Sequence, residues 1–190
     1  MTWLIIGLIL LAAFGPVLWL VPSRKDRHLS ALREQARLEG LVVELRRLPK
    51  LQPSAHERVT AGGRVKKPVQ ECAAYMQMLR RRLVMLPGWR VHRGTGDLEA
   101  RGGWYFDFEL RARGDAFDAT MSALDPLFGG LPADVVAVEL TDRTLLAYWL
   151  ERGAATRETV SEMALQMRAA EQALLDLDAR FQSLAENDDS

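Results

Sequence analysis

The chain has 190 residues, 48% hydrophobic and 26% charged, with 25 Lys+Arg against 25 Asp+Glu. Those proportions describe one modest domain with extras and exclude a repeat array, a collagen-like segment and a disordered tail. A single cysteine, Cys72, excludes an intramolecular disulfide and any cluster held by several thiolates.

The amino terminus comes first. From Thr2 to Ser23 there is no charged residue. A helix of that length reaches across the roughly 30 Å hydrocarbon core of a bilayer, so residues 1–23 are expected to form one transmembrane helix. No basic stretch precedes the run and no small-residue cleavage site ends it, so a cleaved signal peptide is not the expectation. Trp3 and Trp19 stand near its ends, where indoles favour the headgroup region, and Gly15-Pro16 marks a kink. Arg24, Lys25 and Arg27 follow directly. Positive charge on that side places the body in the cytoplasm and the amino terminus outside. Trp3, Trp19, Arg24, Lys25 and Arg27 are the candidate membrane-interface residues, with the lipid bilayer as their partner.

The neutral total conceals a division. Arg24 to Arg113 carries 20 Lys+Arg and 10 Asp+Glu, whereas Gly114 to Ser190 carries 5 and 15. The basic part either lies against an anionic surface or faces the acidic part within one fold. For Arg80-Arg81-Arg82 with Arg90 and Arg93, a solvated or acid-paired surface is the favoured reading. No helix-turn-helix, RRM or KH pattern accompanies them, and nucleic acid is not an expected partner.

Beyond the exit, Ser23-Arg-Lys-Asp26 has capping-box spacing, and Asp26 to Glu39 reads as an amphipathic helix with Leu29, Leu32 and Ala36 inward and Gly40 as its stop. Leu41 to Leu48 reads as a strand, completing a basic segment over 24–48. Residues 49–68, with Pro53, Ser54, Gly62 and Gly63, read as a loop. An α+β body is expected over 69–153. Within it, the three- and four-residue spacing of Val69, Cys72, Met76, Leu79, Leu83 and Leu86 favours a helix slightly. A strand over Val69 to Met78, pairing with Trp89 to His92, is the alternative.

Trp104 to Leu110 alternates as a half-buried strand after a glycine-bearing turn. Asp115 and Asp118 can cap a short helix carrying Phe117, Met121 and Leu124, ended by Pro126 and Gly129-Gly130. Val135 to Leu140 and Leu145 to Leu150 form a hairpin about Thr141 to Thr144. The expected fold class is therefore α+β: the transmembrane helix, then a cytoplasmic antiparallel sheet with flanking helices, ending in a long amphipathic helix.

That last helix occupies 154–186, opened by Thr159-Val-Ser-Glu162, with a solvated tail over 187–190. Val160, Met163, Met167, Ala170, Leu174, Leu177, Phe181 and Leu184 alternate three and four residues apart. The stripe either packs on its own sheet or docks onto a partner, a second copy included. Val160, Met163, Met167, Leu174, Leu177, Phe181 and Leu184 are thus the candidate partner-binding seam.

Chemistry-bearing motifs are few. His28, His56 and His92 lack ligand spacing, and Gly94-Thr-Gly96 and Gly62-Gly63 lack the rest of a nucleotide loop. Cys72 has no histidine placed beside it and reads as a small buried thiol. Asp107 with Glu109, and Asp176 with Asp178, read as ordinary solvated pairs. No catalytic, cofactor-binding or metal-ligating residue emerges, no cofactor is expected, and the expected role is non-enzymatic.

Two resemblances follow from the linear plan. The short leading end, apolar run and basic exit Ser23-Arg-Lys-Asp-Arg27, with Leu41-Val-Val-Glu-Leu45 and Glu57-Arg-Val-Thr-Ala-Gly-Gly63, resemble the YajC family, an accessory subunit of the bacterial preprotein translocase. Gly15-Pro16, Glu71-Cys-Ala-Ala-Tyr75, Leu131-Pro-Ala-Asp-Val-Val-Ala-Val-Glu139 and Leu146-Ala-Tyr-Trp-Leu-Glu-Arg-Gly153 resemble a set of longer single-span proteobacterial membrane proteins. The first likeness implies an accessory or assembly subunit with a membrane-protein partner; the second implies a strand at 71–75. The alternative is a membrane anchor whose cytoplasmic body binds a ligand, anionic lipid or, as the lesser option, nucleic acid.

Overall fold

The computed structural model describes Trp3 and residues 23–50, 53–59, 63–65, 68–94, 99–106, 114–152 and 155–188. They belong to two units, Met1–Ala31 and Leu32–Ser190. The expected transmembrane helix, Trp19 included, falls outside the described residues apart from Trp3 and Ser23. Among the described residues no helix is long and apolar enough to cross a membrane. The fold class is corrected accordingly: what the structure describes is an α+β body, and no membrane-spanning element belongs to it.

Helix α1 spans Arg24–Leu38. Its capping box is made as expected: the Asp26 carboxylate accepts from the Ser23 amide at 3.1 Å and hydroxyl at 2.7 Å, while the Asp26 amide donates to Ser23 Oγ at 3.1 Å. Gly40, at φ +84°, stops the helix, its amide donating to Arg37 O while that of Leu41 donates to Ala36 O.

Seven described strands form one antiparallel sheet in the order β1-β2-β7-β6-β3-β5-β4: β1 Val42–Pro49, β2 Val69–Met78, β3 Trp89–Arg93, β4 Glu99–Arg101, β5 Trp104–Phe106, β6 Val135–Leu140 and β7 Thr144–Trp149. Of the strand expected over Trp104 to Leu110, residues 107–110, with Asp107 and Glu109, lie outside the described residues. The short helix α2, Ala55–Arg58, and a bridge between Val59 and Val65 stand in the segment expected to be only loop.

The helix favoured over Val69 to Leu86 is corrected to a strand and a loop. Strand β2 lies between β1 and β7 and does not touch β3, so the suggested pairing with Trp89 to His92 is corrected too. Cys72, Ala73, Ala74, Tyr75 and Met76 are buried in succession, the pattern of a central strand covered on both faces, and such a run has no period-2 signature. Leu79, Leu83 and Leu86 continue the apolar spacing from a loop rather than from a helix.

Register divides the side chains between two faces. One carries Tyr75, Trp89, Val91, Trp104, Phe106, Val138, Leu145 and Trp149. Helix α3, Asp115–Ala123, and helix α4, Asp125–Gly130, bring Phe117 and Phe128 to Trp89, each with ring centroids at 6.3 Å. Phe106 meets Phe117 and Trp104 meets Phe128, both at 5.0 Å. On the other face Leu48, Cys72, Ala74, Met76, Ala137, Leu146 and Tyr148 form a second buried cluster.

Three boundary expectations change. Gly114 rather than an aspartate leads into α3, with no side-chain cap, and Pro126 sits in the first turn of α4 instead of ending a helix. A missing amide hydrogen is harmless in a first turn, where it would have no intrahelical acceptor. Helix α5, Arg157–Asp188, opens three residues earlier than Thr159, the amides and hydroxyls of Thr156 and Thr159 capping one another reciprocally at 3.3 Å, and it runs two residues past 186 into the expected tail.

Candidate functional site

Helix α5 organises the body, and its side chains divide by period. Val160, Met163, Met167, Ala170 and Leu174 are buried within the chain's own fold. Each large member of that stripe contributes about 1.5–3 kcal/mol through burial. Most of the candidate seam is therefore occupied in cis. Leu177 and Phe181 are half-buried, and Leu184 is 59% exposed.

Two acids on α5 hold the loop between β2 and β3. Glu171, 3% exposed, accepts from the Arg80 amide at 2.7 Å, Arg80 Nε at 3.2 Å and Gln77 Nε2 at 2.9 Å. Asp178, fully buried, accepts at one oxygen from the successive amides of Val84, Met85 and Leu86 at 2.9, 2.8 and 3.2 Å. Its other oxygen takes Gln182 Nε2 at 3.2 Å and stands 3.8 Å from Arg81. Arg81 also donates to Leu175 O. From the far side, the β6–β7 turn accepts the Leu79 amide at Arg143 O and the Leu83 amide at Asp142 O, at 2.9 and 2.8 Å. A buried carboxylate is tolerated where hydrogen bonds replace its water, and both acids meet that condition. Asp176 and Asp178 are thus no pair: the former is exposed and the latter buried.

Two other buried polar clusters close the sheet. Glu151, at φ +51°, accepts from Arg33 at 2.9 and 2.5 Å and from the Tyr75 hydroxyl at 3.0 Å. The left-handed backbone of a non-glycine residue is held by that network and by Asp134, which takes the Arg152 amide and Trp149 Nε1, each at 2.6 Å. Burial, then the Glu151 charge, pushes the Tyr75 phenol far up. Glu139 accepts from the Tyr148 hydroxyl at 2.5 Å and from Arg90 at 3.3 Å; burial, then that carboxylate, raises Tyr148 to about 12. Both phenols are proton donors in fixed bonds.

Charge from the two parts of the chain meets across these contacts. Arg33 pairs with Glu151, Arg80 with Glu171, Arg81 with Asp178, Arg82 with Asp142, Arg90 with Glu139 and Arg101 with Asp125. The arginine run is an acid-paired surface. Arg93 lies over the Trp104 ring at 4.8 Å, and its burial lowers its pKa.

The other candidates read from the amino-acid pattern stand apart from one another. Arg24, Lys25 and Arg27 are exposed on the first turn of α1, and Trp3 is exposed. Cys72 is buried, its thiol pushed up to about 11 by that burial. His28 is exposed and His92 buried, while the His56 side chain lies outside the described ones. Glu151, Glu171 and Asp178 carry no signature that sequence reasoning found; the one available signal was an acid set among apolar residues of a helix stripe, as Glu171 and Asp178 are. Compared with known proteins, the chain matches no family model, no curated protein and no solved structure.

Proposed function

We propose that the chain is a non-enzymatic accessory or assembly subunit of an inner-membrane complex, working by binding a protein partner through the outer end of α5. The observation that carries this reading is the change in burial along one helical stripe. Val160 to Leu174 are consumed by the fold, and the same spacing continues to Phe181, half-buried, and Leu184, 59% exposed. An apolar ridge on a helix anchored by two buried acids is a rigid element for a partner groove. The buried acids support the same reading, because each is saturated by bonds that hold its own chain. The resemblance to the YajC family makes the preprotein translocase the first complex to test.

Full-length protein carrying a carboxyl-terminal tag, recovered from gently solubilised membranes, is expected to bring translocase subunits in near-stoichiometric amounts. Leu184→Asp should abolish that recovery while leaving the circular dichroism spectrum unchanged. Recovery of the protein without those subunits, or recovery insensitive to Leu184→Asp, overturns the proposal.

A further inference from the structure

Strand β1 has a described neighbour, β2, on one side only, and its other edge is long: Val42–Pro49, eight residues. At the opposite margin of the sheet, β4 is cut to three residues. Short edges, charged side chains and proline are the usual defences against strand addition; β1 is not short, its one proline, Pro49, stands at its end, and its three charges are of both signs and can therefore pair. Val42 is 42% and Leu45 72% exposed, and Glu44, Arg46 and Arg47 are exposed beside them.

We propose that β1 pairs antiparallel with β1 of a second copy of this chain, about a twofold axis through Leu45. Such a pairing must centre on a residue, because opposed residues in an antiparallel ladder share the same bonding class. Centred on Leu45, it sets Glu44 against the partner copy's Arg46 and Arg46 against its Glu44. Val42 then faces Leu48, and Leu45 faces its own copy. The whole of Val42 to Leu48 overlaps. Centring on Glu44 or Arg46 instead would oppose two carboxylates or two guanidiniums, which is destabilising, and centring on Arg47 would oppose two guanidiniums as well. Centring on Val43 leaves Arg46 and Arg47 beyond the partner strand.

The faces agree with this register. Arg46 and Glu44 lie on one face of β1, where they bond each other at 3.0 Å within the strand, their side chains 41% and 51% exposed. Exchanging that local bond for two cross-strand bonds needs side-chain rotation, which also gives up the 3.6 Å contact of the Arg46 guanidinium with Met76 Sδ. Arg47, on the other face, is already engaged by Glu71 at 2.8 Å across β2 and can stay so. The pair of sheets becomes one continuous sheet with β4 at each end, and the exposed Leu45 side chains cover one another.

The test is sedimentation analysis of the full chain in mild detergent, comparing the natural sequence with Glu44→Arg, Arg46→Glu and the double exchange. The natural chain should be a dimer. Each single exchange acts twice by symmetry and should weaken dimerisation about tenfold, and the double exchange should return it to within about threefold of the natural value. Leu45→Cys should also form a disulfide-linked dimer on mild oxidation, since Cys72 is buried, whereas Arg47→Cys should not. A monomer at all concentrations overturns the proposal and leaves the edge to a different protein strand. A dimer indifferent to the exchanges, or unrescued by the double exchange, overturns it by placing the contact elsewhere.

Discussion

Asp178→Ala removes the acceptor of three consecutive amides at 2.9, 2.8 and 3.2 Å, leaving Val84, Met85 and Leu86 to find water inside the fold. A hydrogen bond contributes about 1 kcal/mol net and about 1.5–3 kcal/mol when the acceptor is charged, and here three amides share one carboxylate oxygen. The loss expected for Asp178→Ala is therefore about 3–5 kcal/mol, a large share of the roughly 5–15 kcal/mol that stabilises a typical domain. Asp178→Asn keeps an acceptor for the three amides but loses the charge toward Arg81 and the acceptor for Gln182 Nε2, so about 1–2 kcal/mol is expected. Urea unfolding of the three proteins, followed by circular dichroism, measures both values; with a slope of about 1–3 kcal/mol/M the alanine variant should unfold roughly 2 M earlier. A loss below about 1 kcal/mol for Asp178→Ala, or equal losses for both variants, refutes the argument that the carboxylate organises this loop.

Three further outcomes are expected. A Cβ on Gly130 would meet the side-chain amide of Gln166, the far end of a flexible side chain that can swing aside, so Gly130→Ala should cost less than about 1 kcal/mol by thermal unfolding; a loss above about 2 kcal/mol, relieved by Gln166→Ala, would refute that freedom. Cys72, with its thiol raised to about 11, should react with an aromatic disulfide at pH 8 at least a hundredfold more slowly in folded protein than in guanidinium; similar rates would contradict its burial. Glu57 is held down to about 2 by Lys50, then by the Ser54 amide and hydroxyl. Because its folded pKa lies below the ordinary 4.5, its contribution is complete above pH 4.5 and is lost as pH falls toward 2. Carboxyl NMR should show that midpoint, and Lys50→Met should move it up; a midpoint near 4.5 in the natural sequence would refute the pairing.

Elements set by local chemistry were legible in advance. The Ser23–Asp26 box, the Gly40 stop, the β6–β7 hairpin and the α5 stripe are each written within a few residues, and each stands close to where the sequence places it. Strand β2 was not, because Cys72 to Met76 are apolar for two reasons at once, one face toward α5 and one toward the Tyr148 cluster, and periodicity cannot separate them. Pro126 misled for a similar cause: the same ring ends one helix or begins the next, and only the turn at Leu124 decides. The clamp made by Glu171 and Asp178 joins residues about 90 apart in sequence, a separation at which no local pattern operates. The division of charge was the legible trace of it, since the arginines at 80–82 and 90 find their acids beyond residue 114.

The order of those contacts along the chain also bears on synthesis. Every segment that α5 holds, from Glu39, which accepts from Arg168 at 3.2 Å, to the loop at Val84 to Leu86, is translated before it. A nascent chain that has finished β7 already has all seven strands, yet the amides of that loop and the inner face of β2 still lack their cover. Until α5 leaves the ribosome, the emerging protein presents bare apolar sheet to chaperones and to neighbouring chains.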